Sequence, residues 1–410
     1  MKIRRTGSIQ RLLHTYPHQF WVIFVGLVFS VSGVSMVWPF ITIYMREQLQ
    51  LPLATVTALI SLESIMTVLA TLVVGPIMDR FGRKRIMVLS LCVNSLSFFL
   101  LTQAHSLPQF AALSVLRGLF APLYRVGANT MVTDLVSEEQ RSSAFSLTRT
   151  SANIGFAVGP AIGGFIAASS FKTSLTVGGV ILGVIFLASI FLLKETLPKE
   201  ESGSTAQFQG YGTIWRDKQF MIFLAGDTLV KMGMVMMFNL LPVYAKENFA
   251  VPESHYGFIM TINATMAATL QLPATLLTKR YPPSLMLALG AVFYTLGLGS
   301  VALGSGFLHF AISMVIMTVG ELILMPTAMT MVAAISPAHM RGRYMSLYSL
   351  TIGAAKGIGP VVGGILNDQI APAAIWYGAA TMAAMSICVY LLLYQSLRRE
   401  KSSASAVVEG

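Results

Sequence analysis

The chain has 410 residues, 55% of them hydrophobic and only 11% charged, and its 28 Lys and Arg outweigh 17 Asp and Glu to give a net charge of +11. A water-soluble chain carries about 25% charged residues, and one this apolar would expose more greasy surface than water tolerates. A soluble globular protein is excluded, and the composition is that of a chain that crosses a membrane many times.

In chain order, apolar runs fall at 19–44, 53–77, 86–104, 107–133, 142–168, 174–194, 219–245, 254–278, 284–304, 307–334, 342–367 and 372–396. Each is long enough for the roughly 20 helical residues that cross a bilayer. Twelve transmembrane helices are predicted, and the short alternating strands of a membrane β-barrel do not occur. The basic start "MKIRR" is followed by a run too long for a signal peptide and without a small-residue cleavage site, so it is read as the first span.

The excess positive charge is one-sided. Arg80, Arg83, Lys84, Arg85, Lys279, Arg280, Arg341 and Arg343 fall in loops on one side, while Arg46, Lys172 and Lys246 fall on the other. That asymmetry orients the chain with both termini in the cytoplasm. It assigns the basicity to topology and leaves nucleic acid without a role. Cys92 and Cys388 lie within spans and read as apolar filler.

The second half repeats the first. "GPAIGG" at 159–164 returns as "GPVVGG" at 359–364, and at the same offset "IYMREQLQLP" (43–52) lies over "VYAKENFAVP" (243–252) and Arg141 over Arg341. The expected organisation is a six-helix bundle over 1–194, a polar linker over 195–218, a second six-helix bundle over 219–396 and a tail over 397–410. Because each repeat has an even number of spans, the two are parallel, related by an axis along the membrane normal.

Three segments carry a family resemblance. "GPIMDRFGRKR" (75–85) is similar to the signature loop of the major facilitator superfamily, G-x-x-x-D-R-x-G-R-[KR]-[KR], with Gly75, Asp79, Arg80, Gly82 and Arg83 in place. "LRGLFA" (116–121) resembles its second motif, with Arg117 as the arginine, though the usual Gln-Gly does not follow. "GFAVGPAIGG" (155–164) resembles the motif of drug:proton antiporters. The resemblance implies an all-α membrane fold of two six-helix bundles, transport by rocking of the halves, and spans one, four, seven and ten lining a central cavity. It also implies a cytoplasmic latch, expected here from Asp79 and Arg83 with Asp134 as the carboxylate partner. Gly82 permits the tight turn within that loop, and Asp79 is expected to face the positive end of a neighbouring helix.

Small residues let membrane helices approach closely, and proline with glycine permits a bend. Gly155, Gly159, Pro160, Gly163 and Gly164 therefore read as a seam, expected to lie between the halves, with Gly359, Pro360, Gly363 and Gly364 as its twin.

Ionisable groups inside spans are costly and point to function. They are Glu63, Arg117, Arg125, Asp227, Lys231, Glu321 and Lys356. At the repeat offset Glu63 lies over Asn263, Arg117 over Met317, Arg125 over Met325 and Asp227 over Leu27. Those four charges are thus not part of the duplicated scaffold. Asp227 and Lys231 share a helix face, while Glu321 with Lys356, and Glu63 with Arg117, match in depth. The expectation is that Glu321 and Asp227 exchange protons, with Glu63 a third candidate. "KMGMVMMFN" (231–239) supplies thioethers that suit an adaptable cavity or plain packing, and "MVWPF" (36–40) reads as an interfacial anchor with a bend.

No phosphate-binding glycine loop and no metal-ligand spacing of histidines is found, so neither an enzyme, a cofactor nor a metal is expected. The proton gradient is the expected energy source. The reading that results is a monomeric, multi-pass protein of the cell inner (plasma) membrane that exports small amphiphilic compounds in exchange for protons. The alternatives are a carrier of an anionic metabolite or lipid-like anion, and a non-transporting sensor or scaffold on the same fold.

Overall fold

In the computed structural model, the described residues are 15–197, 214–337 and 340–408, and they are almost wholly helical. The helices are α1 (His18–Val37), α2 (Ile41–Leu49), α3 (Leu53–Phe81), α4 (Arg83–Leu101), α5 (Leu107–Leu135), α6 (Glu138–Ser169), α7 (Phe171–Leu192), α8 (Lys218–Phe249), α9 (Glu253–Thr278), α10 (Pro283–Ala302), α11 (Phe307–Ile335), α12 (Arg341–Gln369) and α13 (Ala374–Val408). A helix rises about 1.5 Å per residue, so each long one reaches across a hydrocarbon core. Ten, counting α1 with α2 as a single span, are apolar enough to cross a membrane on their own. The remaining two, α5 and α9, stand where spans four and eight were predicted. Residues 1–14 and 198–213, which include the basic start and most of the expected linker, lie outside the described residues.

The repeat is visible in the backbone. Starts at Leu53 and Glu253, Arg83 and Pro283, and Leu107 and Phe307 keep the offset read from the sequence. Among the described residues the non-glycine positions with positive φ, Gln50 and Ala250, are equivalent, each at 52°. Both end a helix by a left-handed turn, a conformation unfavourable to side chains with a Cβ, and both precede a proline two residues on, Pro52 or Pro252. The packing repeats too: α1 lies on α6 and α7 as α8 lies on α12 and α13, and α4 on α5 as α10 on α11.

The bend expected in "MVWPF" is a 3-10 turn at Trp38–Phe40. Pro39 has no N–H to offer the α-helical ladder, and the path is reset there. By contact the chain forms two compact units, residues 1–38 with 65–204, and residues 39–64 with 205–410. The second unit therefore includes the far end of span one and the start of span two, so the units cross the repeat boundary at Pro39–Ser64.

Candidate transport site and latch

In the second unit, one turn apart on α8, Lys231 Nζ lies 2.6 Å from Asp227 Oδ2. Both are buried, at 7% and 4% exposure. Thr351 of α12 completes the group: Lys231 donates to its Oγ1 at 2.8 Å, and that oxygen lies 2.7 Å from Asp227 Oδ2. The ammonium also sits over the Tyr348 ring, 4.0 Å from its centroid, a cation–π contact that replaces part of its lost hydration. The helical spacing of Asp227 and Lys231 was legible in the sequence; Thr351 and Tyr348 were not, because they come from a helix more than a hundred residues away.

Glu321 of α11 has a different environment. The Asn263 amide of α9 donates to Glu321 Oε2 at 2.8 Å and to Thr318 Oγ1 at 2.9 Å. The sequence had matched Glu321 by depth with Lys356, but Lys356 is exposed on α12, and the hydrogen bond that the carboxylate makes is to an amide. Asn263 had one signal in the sequence, as the repeat counterpart of Glu63. A position that is acidic in one copy and carries an amide in the other keeps a polar group at the same depth.

Within the first unit, Arg117 is buried, with its guanidinium 4.7 Å from the Phe98 ring centroid. Arg125 is exposed and Glu63, in the second unit, half-buried. The span-seven methionines are core residues: Met232, Met234, Met236 and Met237 are all buried. Met236 reaches the Gly363 position of α12, and the Met232 backbone reaches that of Gly359.

The basic loop is brought together with its expected carboxylate. Arg83 Nη1 lies 3.1 Å from Asp134 Oδ2 and Arg83 Nη2 3.6 Å from Asp79 Oδ1. Asp79 is 56% exposed at its side chain, while Arg80 lies over Phe81. Gly82 has φ +95°, which is why glycine stands there. The unforeseen member is Glu195, just past α7. Its carboxylate accepts the backbone N–H of Arg83 at 2.9 Å and of Lys84 at 3.2 Å, placing negative charge on the N-terminus of α4. Thr196 follows, donating to Asp134 Oδ2 at 2.8 Å while its carbonyl accepts from Arg83 Nη1. These contacts join residues of the first unit to one another. Gly75, included in that motif, has nothing within 4 Å of the place its Cβ would take.

The glycine seam is placed differently at most of its positions. Instead of lying between halves, the stripe of α6 packs on α1 of its own unit. A Cβ at Gly155 would lie 2.6 Å from the Val28 carbonyl oxygen, one at Gly159 2.0 Å from Ser35 Oγ, and one at Gly163 2.1 Å from the Met36 carbonyl oxygen. The twin behaves alike, Gly359 and Gly363 facing α8. Gly364 lies as expected of the seam, meeting Ala54 and Thr57 at the start of α3 in the other repeat. Pro160, Gly164 and Pro360 are buried beside these contacts. Backbone contact of this closeness is a packing device, inside each repeat at Gly155, Gly159, Gly163 and Gly359 and from one repeat to the other at Gly364.

Two repeated six-helix sets, paired polar groups at membrane depth and a stitched basic loop define a polytopic membrane protein of the transporter class. The model of the Major Facilitator Superfamily matches residues 23–249 and again 228–409, and the chain belongs to that family. It is a membrane transporter and not an enzyme. It is 26% identical to a Na(+), Li(+), K(+)/H(+) antiporter of Planococcus maritimus, covering 90% of this chain and 94% of the relative. It is likewise 26% identical to the multidrug resistance protein MdtH of Klebsiella pneumoniae (strain 342), over 85% of this chain and 86% of that one. The crystal structure of the nucleoside transporter NupG superimposes with a TM-score of 0.80 at 14% identity, over 92% of this chain and 99% of that one, which shows the shared fold.

Proposed function

We propose that this transporter is a proton-coupled exporter of small amphiphilic compounds, working by alternating access with both termini in the cytoplasm, and that Glu321 is its principal proton carrier. The observation that carries this is the bond from the Asn263 amide to the Glu321 carboxylate at 2.8 Å. A buried charge needs compensation, and an amide supplies it without a charge of its own. Glu321 can therefore take up a proton and strand no cation. Protonating Asp227 would leave Lys231 buried beside a neutral acid, so Asp227 titrates only if Lys231 moves away. For an uncharged cargo, one proton moving down 100 mV releases about 2.3 kcal/mol, enough for roughly a 50-fold concentration; for a cationic cargo exchanged one for one, the pH gradient alone drives transport. The multidrug resistance relative supports the cargo class.

The test is reconstitution in proteoliposomes with an imposed pH gradient and ethidium as cargo. Glu321→Gln is expected to keep ethidium counterflow and lose the response to the gradient. Gradient-driven uptake that survives in Glu321→Gln removes this carboxylate from the coupling.

A second reading is exchange of a monovalent cation for protons. Glu321, Thr318 Oγ1 and the Asn263 amide, whose oxygen faces the cluster when the amide is turned over, form a set of oxygens suited to a hard cation, and the relative named a Na(+), Li(+), K(+)/H(+) antiporter supports it. In that case added Li+ or Na+ collapses a pre-formed pH gradient in the vesicles, and ethidium does not.

A further inference from the structure

The outer ends of the two repeats exchange charges. In the turn that closes α2 stand Arg46 and Glu47; at the repeat offset, Lys246 and Glu247 close α8. Each repeat's cation takes the other's acid. Arg46 Nε lies 3.1 Å from Glu247 Oε1, and Lys246 Nζ lies 2.5 Å from Glu47 Oε1. This is the contact pattern of a two-fold interface, in which residue i meets j and j meets i, drawn here from one chain through its duplication. All four residues belong to the second compact unit.

Further contacts gather at the same end. Lys246 Nζ also meets Glu253 Oε1 at 2.5 Å, at the start of α9. Arg46 donates to the Leu51 carbonyl across the left-handed Gln50 turn. Asp368, near the end of α12, accepts the N–H groups of Leu53 at 3.2 Å and Ala54 at 2.7 Å, capping α3 where its free donors and its dipole favour an anion. One turn before it, Gly364 lets α12 approach the Ala54 backbone, its Cβ position lying 2.7 Å from Ala54 Cα. An open crevice of about 510 Å³ is lined by Arg46, Glu47, Glu247 and Asp368 among others.

We propose that the reciprocal pairs Arg46–Glu247 and Lys246–Glu47 form a latch that holds the outer end of span one against that of span seven, beside the Asp368 cap that joins span eleven to span two, and that it opens and closes in each transport cycle. The side chains of the two pairs are between 26% and 43% exposed, so water reaches them and each pair is weak by itself. A latch that must open repeatedly needs that weakness, and duplication supplies a second copy of the pair to set register. The term "outer" rests on the orientation given under Proposed function; the latch itself does not depend on Glu321.

The experiment uses the full chain with Cys92→Ser and Cys388→Ser, and a reporter Thr42→Cys, one turn below the latch at a position buried to 0% exposure. Labelling by a membrane-impermeant maleimide is followed in right-side-out and inverted vesicles. Arg46→Glu and Glu247→Arg each raise the labelling rate from the outside by about tenfold or more, Glu247→Gln raises it less, and the Arg46→Glu/Glu247→Arg exchange returns it to the starting value. Raising the salt concentration raises labelling of the unmodified latch, since exposed charges are screened, and leaves that of Glu247→Gln less affected. Labelling indifferent to the single reversals, or not restored by the exchange in a variant that elutes as a monodisperse species, overturns the latch. The same pattern seen only in inverted vesicles overturns the orientation instead and leaves the latch standing.

Discussion

Asp227 and Lys231 are joined at 2.6 Å on one helix, and Thr351 of another helix touches both. The three make a closed group in which each charge depends on the others for the hydration it has given up. Removing one member of such a pair costs more than removing both, because the survivor is left buried and unpaired.

Asp227→Asn is therefore expected to lower stability by about 3–5 kcal/mol, read as a large fall in the midpoint of thermal unfolding in detergent. Asp227→Asn with Lys231→Met is expected to recover most of that loss. A double variant no more stable than the single one would mean that the pair is not mutually compensating.

The glycine contacts separate into two classes with opposite expectations. A Cβ at Gly159 would stand 2.0 Å from Ser35 Oγ and 2.7 Å from the Ser32 carbonyl oxygen, which is backbone and cannot rotate away. Gly159→Ala is expected to push α6 off α1 and cost about 1–3 kcal/mol, as overpacking does. At Gly75, where nothing lies within 4 Å, Gly75→Ala is expected to be neutral or stabilising by up to about 1 kcal/mol, from helix propensity. Unfolding midpoints for the two variants measured side by side decide this. Equal losses at both positions would show that helix packing is not what selects glycine at Gly159.

These comparisons mark where sequence reasoning succeeds. Ten spans were legible from apolar length, and the remaining two and the repeat from helices that keep a constant offset, since both are properties of the chain itself. The pairing of Arg83 with Asp134 was legible because one opens a span and the other closes one on the same side. The partner of a packing stripe is not written in the stripe: glycines announce a close approach but not which helix approaches, and here α1 answers to the α6 stripe while, in its twin, Gly364 meets the other half. Depth matching likewise failed to name the partner of Glu321, since it ranks residues along the membrane normal and says nothing about direction within the plane. The exchange of charges between Arg46 and Glu247 had its residues in plain view in the aligned turns, but only folding shows that the repeats swap partners instead of keeping their own.

The last prediction concerns Glu195, which holds the start of α4 through two backbone N–H groups while Thr196 binds Asp134. Losing a capping acceptor costs about 0.5–2 kcal/mol, so Glu195→Ala is expected to lower the unfolding midpoint modestly, and Glu195→Gln less, since the amide oxygen still accepts. Gly82→Ala is expected to cost about 1–3 kcal/mol for a different reason: its φ of +95° is strained for any residue with a Cβ, whereas the nearby Glu195 carboxylate, at 2.4 Å from the Cβ position, can swing aside. The two effects meet at one carboxylate, because a Cβ at Gly82 displaces the group that Glu195→Ala deletes. Combining Gly82→Ala with Glu195→Ala is thus expected to cost less than the sum of the single losses, and strict additivity in a double-mutant cycle would show that Glu195 does not cap α4.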